Sequence, residues 1–393
     1  MRRFIGLAIF LALLVGITTV SGQQAEPPKV PSKEPTKFEY PKLIGGKNLD
    51  MWVREMRENL DPSMRELALR TLPMFGPDVR KAASANFLHA LTKDSDYAVR
   101  MSALSLVPLI GFEEKEAKAG IKAMIEYTKS PQVQCRYDAI AALGDCGGIA
   151  REAIPVIVDF GLLDTNSWQI RRISAQTLGK LAYDPDNGPE TKAMSGLIRT
   201  LLTEKAIQVR REVVQAVLLL GIPQEKQTWV DLRRALEGVK RDPDKSLGIW
   251  ARVCLMRLED KKVTQKDPNM RDLLNYLTHT DPAVRVEAIQ GMGAMAGEVT
   301  YTLPDLQKVI DKDEDINAAG AAIWVLTAMT SEAQTVVPYL EGVKKSHRTE
   351  AIRRTAEEAL KAMIEIKKME TKDPKKEAVP KKEILPKKDP AKK

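Results

Sequence analysis

One phrase recurs nine times along this 393-residue chain, and its spacing restricts the fold more than any other feature. The clearest copy runs Asp281-Pro282-Ala283-Val284-Arg285-Val286-Glu287-Ala288-Ile289-Gln290-Gly291-Met292-Gly293. Asp281 suits a helix N-cap, and Pro282 suits the first helical position, where no amide donor is needed. Val284, Ala288, Ile289 and Met292 share one helical face, and Gly293 stops the run. The copies begin at Met64-Arg65, Val99-Arg100, Cys135-Arg136, Ile170-Arg171, Val209-Arg210, Ile249-Trp250, Val284-Arg285, Ile316-Asn317 and Ile352-Arg353, at intervals of 32 to 40 residues. In most, a small residue follows the apolar anchor by four positions. Nine copies at this period indicate an α-helical solenoid, in which single helix pairs cannot bury their apolar faces and stacking creates the core.

The phrase and its period resemble the HEAT-repeat family over roughly residues 49–365, in the form of a secreted, bacterial-type member. The reading is therefore all-α: an α-α superhelix, or HEAT-like solenoid, of about nine helix pairs with disordered termini. The anchor phrases supply the second helices. First helices are expected near Asp50–Leu60, Asp78–Leu91, Lys115–Thr128, Ala150–Leu162, Glu190–Leu202, Gln227–Val239, Met270–Leu277, Leu303–Ile310 and Ala333–Val343. In Asp61…Arg65, Asp96…Arg100 and Asp281…Arg285 an acid precedes the Arg by four residues, and the resemblance implies an Asp–Arg ladder between neighbouring repeats. Trp250 and Asn317 stand at the Arg slot in the sixth and eighth copies, which marks an irregular junction. The more highly charged last phrase, from Ile352, suits a capping repeat.

The ends carry a different chemistry. Residues 1–22 read as a signal peptide: Arg2 and Arg3, an apolar run over Phe4–Val20, then small residues that place the mature start near Gln23. The chain is thus expected to be secreted or periplasmic, with an uncleaved N-terminal anchor as the alternative. Residues 23–48 read as a Pro-rich disordered linker and 366–393 as a Lys-rich disordered tail. The chain's +8 net charge divides into +2 for the signal, +2 for residues 23–49 and +6 for the tail, leaving −2 for residues 50–365. The basic pI is a property of the tail, so nucleic acid is not an expected partner of the repeats.

Little in the sequence points to catalysis. The three histidines, His89, His279 and His347, lie in distant repeats, and no metal, phosphate-loop or nucleophile-elbow motif is present. Cys135, Cys146 and Cys254 read as free thiols. Tyr183–Pro189 lacks the alternating ligands of a calcium loop and reads as a turn. Enzymes of HEAT-like build (bilin lyases, deoxyhypusine hydroxylases, DNA glycosylases) would need features that are absent here: His-Glu iron pairs, a bilin signal or a basic core. No cofactor or metal is expected.

What remains is surface. The resemblance implies that second helices line the concave side, and counting from each anchor places Tyr137, Arg172, Gln176, Arg211, Gln215 and Arg252 among the candidate partner-binding residues; Trp250 joins them as the residue that breaks the pattern at the irregular junction. Arg172, Arg211 and Arg252 are expected to pair with acidic groups of a partner. The functional expectation is a non-catalytic scaffold that binds a protein or peptide. The alternative is a protein held to anionic envelope polymer or membrane by its Lys-rich tail.

Overall fold

The structure, a computed structural model, describes residues 39–184, 188–259 and 262–372. The stretch read as a signal peptide, most of that read as a linker, the middle of the turn after Asp184 and the Lys-rich stretch beyond Lys372 lie outside these residues. Helices come in antiparallel pairs: α1 Leu49–Glu58 and α2 Pro62–Thr71, α3 Val79–Lys93 and α4 Tyr97–Ile110, α5 Glu114–Tyr127 and α6 Val133–Asp145. The fourth repeat has an irregular first segment over Gly147–Leu162 followed by α7 Trp168–Leu181. Then come α8 Thr191–Thr203 and α9 Ile207–Leu220, α10 Lys226–Val239 and α11 Lys245–Leu258, α12 Pro268–Tyr276 and α13 Pro282–Gly293, α14 Leu303–Lys312 and α15 Ile316–Ala328, and α16 Ala333–Ser346 and α17 Glu350–Lys372. This is the all-α solenoid architecture expected from the repeat, and the first helices fall within a few residues of the expected spans.

The described residues form two compact units, one running to Asp272 and one from Leu273. In the first, the second helices stack in the order α2, α4, α6, α7, α9, α11, while the first helices form a second layer. Leu69, Phe87, Leu104, Met124, Ile140 and Ile157 fill the space between layers and are fully buried. The backbones come close at Gly179, where an added Cβ would lie 3.1 Å from the Cα of Ala216. In the second unit α13, α15 and α17 stack in the same way.

Two segments depart from expectation. Residues 44–47 do not continue the linker: a tight turn through Gly45 and Gly46, both at positive φ, docks on α1, where the Trp52 indole donates to the Ile44 carbonyl at 3.0 Å. In the fourth repeat the expected helix Ala150–Leu162 is present in span but mixed in type, with 3-10 turns over Gly147–Ala153 and a π-turn over Ile157–Leu162. Pro155 removes a donor there and crowds the preceding turn, so the ladder of i to i−4 bonds is not maintained. The following turn is a small antiparallel ribbon, Tyr183–Asp184 against Gly188–Pro189, and Asp184 is ion-paired to Arg151. That carboxylate is spent on structure.

The junction between repeats is built differently from the expected ladder. Asp61, Asp96 and Asp281 cap their helices, accepting backbone N–H groups of the first turn at 2.8–2.9 Å. Whereas Arg100 donates to the Asp94 and Ser95 carbonyls of its own loop, in five repeats the Arg four residues after the cap reaches a carboxylate in the next repeat: Arg65 to Asp94, Arg136 to Asp164, Arg171 to Glu204, Arg210 to Asp242 and Arg285 to Asp313. The same Arg donates back to loop carbonyls of its own repeat, as Arg285 does to His279 and Thr280 at 2.8 and 3.2 Å. The acid has a second task. It sits two or three residues before the next cap and accepts the amide of that turn, as Asp94 does from Asp96 and Asp313 from Asp315, each at 2.9 Å.

Measured by caps, the sixth and eighth repeats have a shifted register. Asp244 and Asp315 accept the Leu247 and Ala318 amides, so the Arg slots are Gly248 and Ala319. Trp250 and Asn317, read from the sequence as slot residues, lie two positions away. At the position that carries an acid elsewhere stand His279 and His347, whose Nδ1 atoms accept the Asp281 and Thr349 amides at 3.1 Å. An imidazole nitrogen performs the turn-closing task where no Arg is supplied. Over Gly248 the space is taken by Arg252, which donates to the Lys240 and Gly248 carbonyls and pairs with Asp272 at 2.8 Å.

These links are largely dry: side chains are 14% and 7% exposed for Arg285–Asp313, and 9% and 6% for Arg65–Asp94. Replacing Arg285 with Met leaves a buried, unpaired carboxylate and is expected to destabilise the unit from Leu273 by about 3 kcal/mol, read by native-state hydrogen exchange; an unchanged exchange pattern would contradict the assignment. Burial pushes the Asp94 and Asp313 carboxyls up, but their Arg partners and turn amides outweigh it and hold both below the usual range. Their contribution is therefore complete above the unfolded pKa and lost as pH falls through the lower folded value. The melting midpoint is expected to be flat down to about pH 5 and to drop below about pH 4, with a smaller acid drop in Arg285→Met, because without the guanidinium burial pushes the Asp313 carboxyl up and its protonation relieves an unpaired charge.

Candidate protein-binding face

Because the cap fixes each second helix's rotation, positions one, five and nine after the cap form one stripe, and the stripes of neighbouring repeats lie side by side. In repeats one to five they read Pro62, Glu66, Arg70; Tyr97, Met101, Ser105; Val133, Tyr137, Ala141; Trp168, Arg172, Gln176; and Ile207, Arg211, Gln215. Five of the residues expected from the sequence, Tyr137, Arg172, Gln176, Arg211 and Gln215, are thus brought together on one exposed surface. Trp250 and Arg252 are not. Trp250 is 7% exposed, and Arg252 is committed to Asp272 and two carbonyls. The two-residue register shift turns them inward, and α11 has ten of its fourteen residues buried, so the stripe ends at repeat five.

The charges on this surface are already paired. Arg172 binds Glu212 on the next second helix at 2.9 Å, and Arg211 binds Asp244. Arg70 binds Glu66 at 2.6 Å. The Ser102 hydroxyl and then Arg70 hold the Glu66 carboxyl below its usual value. Burial raises Asp244, but Arg211 and the Leu247 amide more than reverse this. The expectation that Arg172, Arg211 and Arg252 await acidic groups of a partner is therefore corrected: each already holds a carboxylate of its own chain. Asp138 differs, since burial pushes its carboxyl up and its partner is the neutral Gln134 amide at 2.8 Å.

The apolar members are not paired in this way. Tyr97, Val133 and Trp168, each the first residue after its cap, are 40%, 47% and 38% exposed, and Tyr137 is 37% exposed. Ile207 extends the row half-buried. The Tyr97 ring lies 5.5 Å from the Arg100 guanidinium, and its hydroxyl meets Gln132, the cap of the next repeat, so the row is continuous across α4 and α6. Tyr97, Val133 and Trp168 were absent from the sequence-derived set. The available signal was an apolar residue directly after the cap in four successive repeats.

Reactive groups are scarce. Burial pushes the Cys146 thiol to about 11 and Cys254 to about 12, which keeps both protonated at neutral pH. Among the described residues no group of three His, Cys, Asp or Glu could hold a metal, and no helix is long and apolar enough to cross a membrane.

Residues 270–361 match the family model described as HEAT repeats. No curated protein matches the chain in sequence. Among solved structures the chain is similar to an engineered protein (18% identity over 81% of this chain and 89% of that one, TM-score 0.41). It is also similar to the CpcE–CpcF complex of phycocyanin lyase from a Nostoc species (16% identity, 71% and 94% covered, TM-score 0.44). Yeast importin-beta aligns at 12% identity over 81% of this chain with a TM-score of 0.52, and this chain spans 46% of its length. At such identity the importin-beta match speaks for the fold alone.

Proposed function

We propose that this HEAT-repeat protein is a non-catalytic scaffold that binds a partner protein or peptide across the second-helix face of repeats two to four. The observation that carries the reading is the row Tyr97, Val133, Tyr137 and Trp168. It is exposed in register on adjacent helices, while the charges beside it are neutralised within the chain. Exposed aromatic rings bury large areas at low entropic cost when a partner covers them, and such residues dominate binding energy at interfaces. The partner therefore contributes apolar side chains at the centre, and the Arg172–Glu212 and Arg211–Asp244 pairs form a polar rim. Export by the sequence of residues 1–22 would place the scaffold in the periplasm or outside the cell, and a mature N-terminus near Gln23 in the intact mass of the exported chain would support that location.

With the partner recovered by crosslinking from the cell envelope, Tyr137→Ala and Trp168→Ala are each expected to weaken binding about 30-fold, equivalent to about 2 kcal/mol. Arg172→Ala should cost less than about fivefold, because an exposed ion pair contributes under about 1 kcal/mol. Melting midpoints should stay near the parent value. Full affinity in the Tyr137→Ala, Trp168→Ala double variant would overturn the reading.

A further inference from the structure

The first-helix layer carries a second feature of opposite character. Between α8 and α10, in repeats five and six, lies a cleft of about 280 Å³. Arg199 lines it from α8 and Arg234 from α10, and both are exposed. Neither guanidinium has an ion-pair or hydrogen-bond partner among the described residues. The contrast with nearby arginines is direct: Arg233, the preceding residue, pairs with Glu259 at 3.2 Å and stacks 5.4 Å from the Trp229 ring. The carboxylate in the cleft, Asp231, is occupied by the Gln227 amide at 3.0 Å. Leu202, also lining the cleft, is 61% exposed.

We propose that this cleft binds an acidic linear peptide segment of a partner protein, with one carboxylate to Arg199, one to Arg234 and an aliphatic side chain on Leu202. The arginines project from different helices, so one extended ligand with separated carboxylates can engage both. A guanidinium is weakly hydrated and presents a planar fork of donors that suits a carboxylate. An inorganic anion would use the charge but leave Leu202 in water. An acidic peptide with an aliphatic residue between its carboxylates uses all three groups. The cleft lies in the first-helix layer, so its occupant is independent of the second-helix face.

The test is fluorescence polarisation of the full chain with a labelled peptide Gly-Glu-Asp-Leu-Glu-Asp-Gly at low and moderate salt. Saturable binding is expected. It should weaken at least tenfold in Arg199→Glu and in Arg234→Glu, and severalfold in Leu202→Ser and at higher salt. The milder pair Arg199→Gln, Arg234→Gln should weaken it in the same direction, with circular dichroism and melting unchanged. A peptide with Gln and Asn in place of Glu and Asp should not bind. Tyr137→Ala, Trp168→Ala should bind as the parent does. Three results would each overturn the proposal: no saturable binding by the parent chain, undiminished binding by the double Arg variant (which would assign the peptide to the Lys-rich tail), or equal competition by inorganic phosphate at the peptide's concentration.

Discussion

Each repeat junction of the Arg–acid type rests on one carboxylate that answers two demands. It closes its own turn by accepting a cap amide, and it neutralises the guanidinium sent by the preceding repeat. Burying either charge alone would cost several kcal/mol, so the two repeats must approach at the separation that satisfies both. The turn bond sets where the helix begins, and the helix start sets which residues face out. The exposed apolar row is thus a consequence of the junction chemistry: Tyr97, Val133 and Trp168 are aligned because Asp96, Gln132 and Ser167 begin their helices in the same register. The role is the same where the acceptor differs, since Asn59 and Ser130 also accept the amide two residues on.

Much of this architecture was legible in the chain. Period, helix spans and caps follow from local rules, because an Asp or Ser before an apolar stripe and a Gly or loop after it have local physical reasons. The ladder's partners were less legible. Asp61 and Arg65 are close in sequence and suggest a pair, yet a capping carboxylate already holds first-turn amides, and the Arg extends toward Asp94, a contact set by stacking. The sixth and eighth registers were missed because Ile249 and Ile316 imitate an anchor. In the sixth the small residue four positions on, Ala251 after Leu247 against Val253 after Ile249, marks the correct one; in the eighth Gly320 after Ile316 fits as well as Ala322 after Ala318, and the Asp315 cap marks it. The mixed turns of Gly147–Leu162 depend on Pro155 and tertiary packing, beyond the reach of periodicity.

The two surfaces divide the available chemistry. On the second helices, long charged side chains find partners on their own helix or one repeat away, and what remains for a ligand is apolar. On the first helices of repeats five and six the charged groups Arg199 and Arg234 remain unpaired. A protein with both surfaces can hold two segments of different chemistry on separate layers of one stacked array. The nearly all-buried α11 ends the second-helix face, so the two surfaces overlap only at repeat five.

The histidines at the acid positions have a consequence for how such a chain can change. Repeats are often thought of as interchangeable parts, but here each has a left and a right chemistry. A repeat that sends out Arg is followed by an acidic or hydroxylic turn, and one with Gly248 or Ala319 in that place is followed by a histidine turn. A duplication or shuffle that set Arg285 before the His347 turn would bring a cation to an imidazole, and the reverse exchange would strand Asp313 without its cation. Rearrangement is open only between repeats whose edges match, so the order of the array is itself specified, junction by junction, at two residues.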